Sequence, residues 1–294
     1  MARPLRLVLP NSLYHVIARG NERKAVFRDD DDRRRYLGRL AHYRERDGFL
    51  VLAYCLMGNH IHLAIETGEV GLPKTMAGLQ SSYTQAFNRK HRRVGHLFQG
   101  RYKAMLVDKD AYGQALIRYI HRNPVEAGIV RRDSDYEWSS AKAWLRGGGP
   151  EWLDVKAGMR LFGPTPRRAM AVYQTFRSDA RGASYDTLPS VGQQVRGGDE
   201  FADVVRRHAG NGQPPRWKHV SIESVARDVA EEAGVKISDL KSPGRGRQES
   251  RARALVAARA QELGGISISR TARYFERDDS SLLRAVERLK GEGK

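Results

Sequence analysis

The chain reads Gly58-Asn59-His60-Ile61-His62 where two runs of strand character meet, Leu50 to Met57 and His60 to Glu66. A Gly-Asn dipeptide between such runs suits a tight hairpin turn, and a hairpin fixes the face on which each later side chain lies. Side chains alternate along a strand, so His60 and His62 share one face roughly 7 Å apart along the backbone, while Ile61 turns the other way into a core. Two imidazoles are thus set side by side above an apolar layer.

The flanking sequence builds a domain around that hairpin. Ser12 to Ala18 reads as a strand closed by Gly20-Asn21, and Asp29 to Asp47 as a helix with Tyr36, Leu37, Leu40 and Tyr43 at helical spacing behind an acidic first turn. Met76, Leu79, Tyr83 and Phe87 mark a second amphipathic helix over Leu72 to Lys90, and a short strand follows over Tyr102 to Val107. The order β-α-β-β-α-β predicts a ferredoxin-like α+β domain, an antiparallel sheet with helices on one face. Asp110 to Asn123 reads as a further helix with Tyr112, Leu116 and Ile120 buried, ended or bent by Pro124. The resulting division is an α+β domain over 1–145, a helical extension over 146–180, a linker over 181–218 with one short helix near Phe201 to His208, and a small all-α helix-turn-helix domain over 219–294. In the last domain, helices around Ile222 to Val229 and Ala252 to Leu263 precede a close pair, Ser269 to Phe275 and Ser280 to Leu289, each with serine in an N-cap position.

Charge narrows the partner. With 52 Lys and Arg against 34 Asp and Glu the net charge is +18, which attracts a polyanion, nucleic acid first and an anionic membrane second. Cys55 is the sole cysteine, so neither a disulfide framework nor a thiolate zinc site can be assembled, and a reducing cytosol fits. No signal-type apolar core or membrane-length run is found, so the expectation is a cytoplasmic, nucleoid-associated protein with no membrane partner.

Histidines at i and i+2 are compatible with a pair of half-buried rings bonded to backbone. Their spacing alone is a weak sign of a metal site, and the helix supplies what such a site lacks: Tyr119 and Asn123, four apart, share a face. Two imidazoles and an amide oxygen suit Mg²⁺ or Mn²⁺ with positions left open for phosphate oxygens. A tyrosine nucleophile, with an ordinary pKa near 10, needs such a cation or a base beside it. Among competitors, Tyr112 lies on the core stripe, Tyr102 suits stacking on a base, His15 reads as a packed strand residue with DNA or metal contact as the alternative, and His121 has no assigned role. From Arg89 to Lys103 the basic residues Arg89, Lys90, Arg92, Arg93, Arg101 and Lys103 occur with no acidic one, which suits phosphate contacts or a solvated face. Arg33, Arg34 and Arg35 are offset by Asp29 to Asp32 and read as surface.

His60-Ile61-His62, the stretch His96-Leu97-Phe98-Gln99-Gly100-Arg101-Tyr102, and Tyr119-Ile120-His121-Arg122-Asn123-Pro124-Val125-Glu126-Ala127-Gly128 together resemble the REP-associated tyrosine transposases, HUH-type single-tyrosine nucleases, across about residues 3 to 180. The resemblance implies that His60, His62 and Asn123 bind a divalent metal and that Tyr119 attacks a phosphodiester of single-stranded DNA at hairpin-forming repeats. A 5′-phosphotyrosyl link and a free 3′-hydroxyl would result. Over about residues 220 to 290, Arg251-Ala252-Arg253-Ala254-Leu255-Val256, Ser267-Ile268-Ser269 with Ala272-Arg273-Tyr274-Phe275, and Arg277-Asp278-Asp279-Ser280-Ser281-Leu282-Leu283 are similar to the duplex-binding domain of the bacterial replication initiator DnaA. That likeness implies Ser280, Ser281 and Arg284 in a major groove and Arg251 or Arg253 on phosphates, with Asp279 standing where the initiator commonly has histidine. The function expected is a metal-dependent single-stranded DNA endonuclease and strand transferase tethered to a duplex-binding domain, a monomer or dimer. The alternative is a non-catalytic repressor or repeat organiser on the same scaffold.

Overall fold

The computed structural model describes residues 9–178, 185–188, 190–191, 195–197, 201, 205, 221–242, 244, 246–264, 266 and 268–292. Two compact units divide the chain, Met1–Pro214 and Pro215–Lys294.

In the first unit β1 (Leu13–Arg19), α1 (Asp30–Asp47), β2 (Leu50–Leu56), β3 (His60–Glu66), α2 (Leu72–Lys90) and β4 (Lys103–Val107) follow in the expected order. Asp29 caps α1 by accepting from the Asp32 amide at 3.0 Å, and Gly48 at φ +69° closes its other end. The strands lie β2-β3-β1-β4 with antiparallel neighbours, the ferredoxin-like arrangement. Ile61, Leu63 and Ile65 are buried in one core with the Tyr36, Leu40, Met76, Leu79 and Tyr83 stripe of α1 and α2.

The opposite, histidine-bearing face has its own helix, α3 (Lys109–Glu126). Asp108 caps α3 through the Asp110 and Ala111 amides, and a methyl group on Gly113 would lie 3.6 Å from Leu13. Helices therefore cover both faces of the sheet, where the sequence pattern led to one. Pro124 sits in the final turn, and the helix runs on to Glu126. A proline there forfeits one hydrogen bond without having to break the turns before it.

Three short helices, α4 (Ala141–Leu145), α5 (Val155–Met159) and α6 (Pro166–Ser178), pack behind α3 in this same unit. His121, fully buried, joins them: its Nε2 lies 2.7 Å from Ser140 Oγ and its Nδ1 lies 2.8 Å from the Tyr173 hydroxyl. Burial depresses the His121 pKa to about 3, so it folds neutral. An unfolded chain would protonate this imidazole below about pH 6.5, and its contribution to stability is present above that value and lost as pH falls toward the folded pKa. Urea melts at pH 7, 6 and 5 are expected to show stability falling with pH, and His121→Gln is expected to flatten the trend by up to about 1.4 kcal/mol per pH unit. An equally steep trend in the variant would show that His121 does not carry it.

The stretch expected as linker contributes to this unit. Tyr185 is buried, β5 (Ser190–Val191) pairs with β6 (Val195–Arg196), and β6 runs parallel to β4 with Leu106 opposite Val195. The sheet is thereby six-stranded and mixed. Glycine-rich composition hid this because two-residue strands offer no periodicity to read. Most of the short helix expected near Phe201 lies outside the described residues.

The second unit is all-α: α7 (Ile222–Ala233), α8 (Ile237–Lys241), α9 (Arg247–Gly264), α10 (Ile268–Tyr274) and α11 (Asp279–Glu292). Ser221 and Ser224 form a capping box at the start of α7. The start of α11 is capped by Asp278, which accepts from the Ser281 amide at 2.9 Å, and serine does not take that role. Among the described residues no helix is long and apolar enough to cross a membrane.

Candidate functional site

The turn before β3 is held from both sides. Gly20 donates from its backbone to Asn59 O at 2.8 Å, and a side chain there would collide with the Lys24 carbonyl. Asn59 donates to Arg23 O at 3.0 Å, and its Oδ1 meets His60 Nδ1 at 2.7 Å. An amide oxygen accepts, so this contact favours the His60 tautomer with its proton on Nδ1 and its lone pair on Nε2. Register then sets the neighbours: His60 faces Arg19, His62 faces Ile17 and Cys55, and His15 of β1 faces Ala64. The diagonal from His15 to His62 is closed by an Nε2 to Nδ1 contact of 2.9 Å.

Tyr119 comes down from α3 onto this group. Its ring centre lies 5.5 Å from those of His62 and His15, both approached edge-on, and the His60 and His62 rings are 4.9 Å apart. Asn123, one turn on, donates to Tyr119 O at 3.0 Å, and its amide is in hydrogen-bonding range of the His60 imidazole and the Tyr119 phenol. The four residues singled out in the sequence are thus brought together, and His15 joins them.

Electrostatics favour neutral imidazoles. Burial lowers the His60 and His62 pKa values, assisted by Arg19 for both and by the neighbouring rings for His62. Such rings can donate lone pairs without first losing a proton. The Tyr119 phenol is pushed up to about 12, chiefly by burial and then by Asp186. Tyr119 is therefore a poor nucleophile until a cation or a base acts on it.

Tyr185 and Asp186 went unread in the sequence. The Tyr185 ring packs 5.1 Å from Tyr119 and 5.3 Å from His15, and the Asp186 carboxylate lies close enough to the Tyr119 phenol to raise its pKa. No local signal marks them, because they reach the site only through the pairing of β6 with β4.

Three of the residues assigned to DNA have other tasks. The Lys90 ammonium is held by Asp29, Asp31 and Asp32 at 2.7 to 3.0 Å, Tyr102 is 5% exposed and has no face for a base, and Arg253 is buried on backbone carbonyls. Arg89, Arg92, Arg101 and Lys103 are exposed, and Arg93 lies over the Phe87 ring. In the second unit Arg251 is exposed, and Ser281 and Arg284 line a groove of about 570 Å³ with Glu287 and Arg288. The side chain of Ser280 lies outside the described residues. Asp29, Asp32 and His91 form a second cluster of ligand-type atoms within 4.8 Å, but Lys90 already supplies its positive charge.

Parts of this chain are similar to known proteins. The solved structure of a REP-associated tyrosine transposase bound to a REP hairpin aligns with a TM-score of 0.42 at 16% identity, over 53% of this chain and 93% of that one. Residues 9–123 match the family model described as "Transposase IS200 like", a span that holds His60, His62 and Tyr119 and ends on Asn123. The amino-terminal unit of this chain is therefore similar, over residues 9–123, to the IS200-like transposases.

Proposed function

We propose that the chain is a divalent-metal-dependent nuclease and strand transferase for single-stranded DNA at hairpin-forming repeats, with Tyr119 as its nucleophile. The observation that carries the reading is the placement of the Tyr119 ring 5.5 Å from His62, with Asn123 in reach of both the phenol and His60. His60 and His62 would hold Mg²⁺ or Mn²⁺ through nitrogen, with the Asn123 amide oxygen as third donor. The donor set fits, because both rings are neutral and each has one nitrogen engaged and one left for a ligand. When bound, the cation supplies polarisation of the scissile phosphate and stabilises the charge developing on it.

The residues of the chain do the rest. Tyr119 Oη forms a bond to phosphorus as the bond to the 3′-oxygen breaks, giving a 5′-phosphotyrosine and a 3′-hydroxyl. The phenolic proton passes to the nearby Asp186 carboxylate, and the leaving oxygen takes a proton from solvent. Burial of the ring among His15, His62 and Tyr185 fixes the line of attack. Arg89, Arg92, Arg101 and Lys103 offer phosphate contacts, and Arg251, Ser280, Ser281 and Arg284 a duplex-docking face that would raise the local concentration of target.

The test is incubation of the full chain with a 3′-labelled repeat hairpin and Mg²⁺ or Mn²⁺. A labelled protein band on a denaturing gel that disappears with EDTA is expected. The non-catalytic reading draws on Tyr185 and Asp186 covering the phenol. Tight hairpin binding with either metal and no covalent band would establish it and end the enzymatic one.

A further inference from the structure

We infer that His15 is a positioning residue that holds the His62 ring by its Nδ1 and so turns His62 Nε2 toward the cation. The inference rests on the reading of His60 and His62 as ligands and adds a residue to it. His15 is 1% exposed and His62 4%, and their rings stack at 24° with centres 5.2 Å apart. A histidine retained in β1 for packing alone would not need a ring nitrogen 2.9 Å from that of His62.

The hydrogen bond between two neutral rings allows two proton arrangements. In the first, His15 Nε2–H donates to His62 Nδ1, the His62 proton sits on Nε2, and that atom has no lone pair to give. In the second, His62 Nδ1–H donates to His15 Nε2, and His62 Nε2 is free to ligate. Only the second arrangement makes His62 a ligand, and it requires an acceptor at position 15. His60 is treated the same way by a different residue, since Asn59 Oδ1 takes its Nδ1 proton. Each imidazole of the pair thus has its own acceptor, one from the turn and one from β1. In the ligating arrangement the His15 proton lies on Nδ1, a buried atom without a hydrogen-bond partner among the described residues, and the His15 ring stands edge-on to those of Tyr119 and Tyr185.

Mn²⁺ binding to the full chain, read from the electron paramagnetic resonance signal of the free ion, tests this without any turnover. His15→Phe keeps a flat ring and removes the acceptor, and is expected to weaken Mn²⁺ by about 10- to 100-fold, the range for outer partners of metal-bound histidine. His15→Gln restores an acceptor oxygen and is expected to recover most of the loss, which a purely structural role would not produce. Thermal melts separate loss of folding from loss of affinity. Nitrogen-edited spectra of the Mg²⁺-loaded wild type give a readout that needs no variant: His62 should carry its proton on Nδ1. A well-folded His15→Phe that binds Mn²⁺ as wild type does, or a His62 proton on Nε2 in the loaded protein, overturns the role of His15 alone. A wild type that takes up no Mn²⁺ overturns the cation site and this role together.

Discussion

Tyr119→Phe is expected to abolish the covalent protein–DNA band while leaving hairpin binding intact. The substitution removes one oxygen and keeps the ring that packs on His15, His62 and Tyr185, so the fold should change by less than about 1 kcal/mol. Loss of a sole nucleophile costs other covalent enzymes on the order of 10⁶-fold, which is far below the floor of a gel assay. The 3′-labelled strand reports the adduct because the fragment downstream of the cut is the one held through its 5′-phosphate. Tyr185 is the control that matters, being the only other phenol described whose ring contacts Tyr119. Its hydroxyl belongs to a side chain that is 2% exposed, and burial raises its pKa. Tyr185→Phe should therefore still form adduct. A band that survives Tyr119→Phe and vanishes in Tyr185→Phe would transfer the nucleophile to the later residue and sink the assignment made here.

The two tyrosines also show what was legible in the chain and what was not. The hairpin, the ferredoxin-like strand order and the Tyr119–Asn123 face follow from periods of 2 and 3.6 and a turn dipeptide, all local properties. They emerged from the sequence with boundaries within a few residues of those observed. In the sequence His15 reads as a packed strand residue, because its approach to His62 depends on strand register, and register is a property of two segments at once. Tyr185 and Asp186 are further removed, since they arrive with a parallel two-residue strand from a glycine-rich stretch. Lys90 failed for a different reason. Charge counting over 89–103 saw no acid, while the acids that neutralise it stand at the start of α1. A basic run is evidence for a phosphate contact only after the partners of each cation have been found in space.

The second large effect is expected in the carboxyl-terminal unit, where Arg253→Ala should unfold the helices and Arg251→Ala should not. The two positions are two residues apart on α9, about 200° around a helix, so they cannot serve the same surface. Arg251 is exposed; Arg253 is 4% exposed and its guanidinium donates to Leu240 O at 2.8 Å, Asp239 O at 2.9 Å, Gly244 O at 3.1 Å and Ser242 O at 3.1 Å. It thereby ties α9 to the carbonyls at the end of α8 and just after it, where a helix leaves acceptors unfilled. Hydrogen bonds from a charged group contribute roughly 1.5–3 kcal/mol each and do not add in full, while burial and the nearby Arg277 charge oppose them. A net loss of about 3–5 kcal/mol is a reasonable balance, comparable to the whole stability of a small helical unit. Circular dichroism melts should show the helical transition of this unit lost in Arg253→Ala, with metal and hairpin binding by the first unit retained. Arg251→Ala should melt as wild type, and if this face docks on duplex its binding should weaken with a shallower salt dependence. An Arg253→Ala chain that stays folded and loses only duplex affinity would put that arginine back on the DNA.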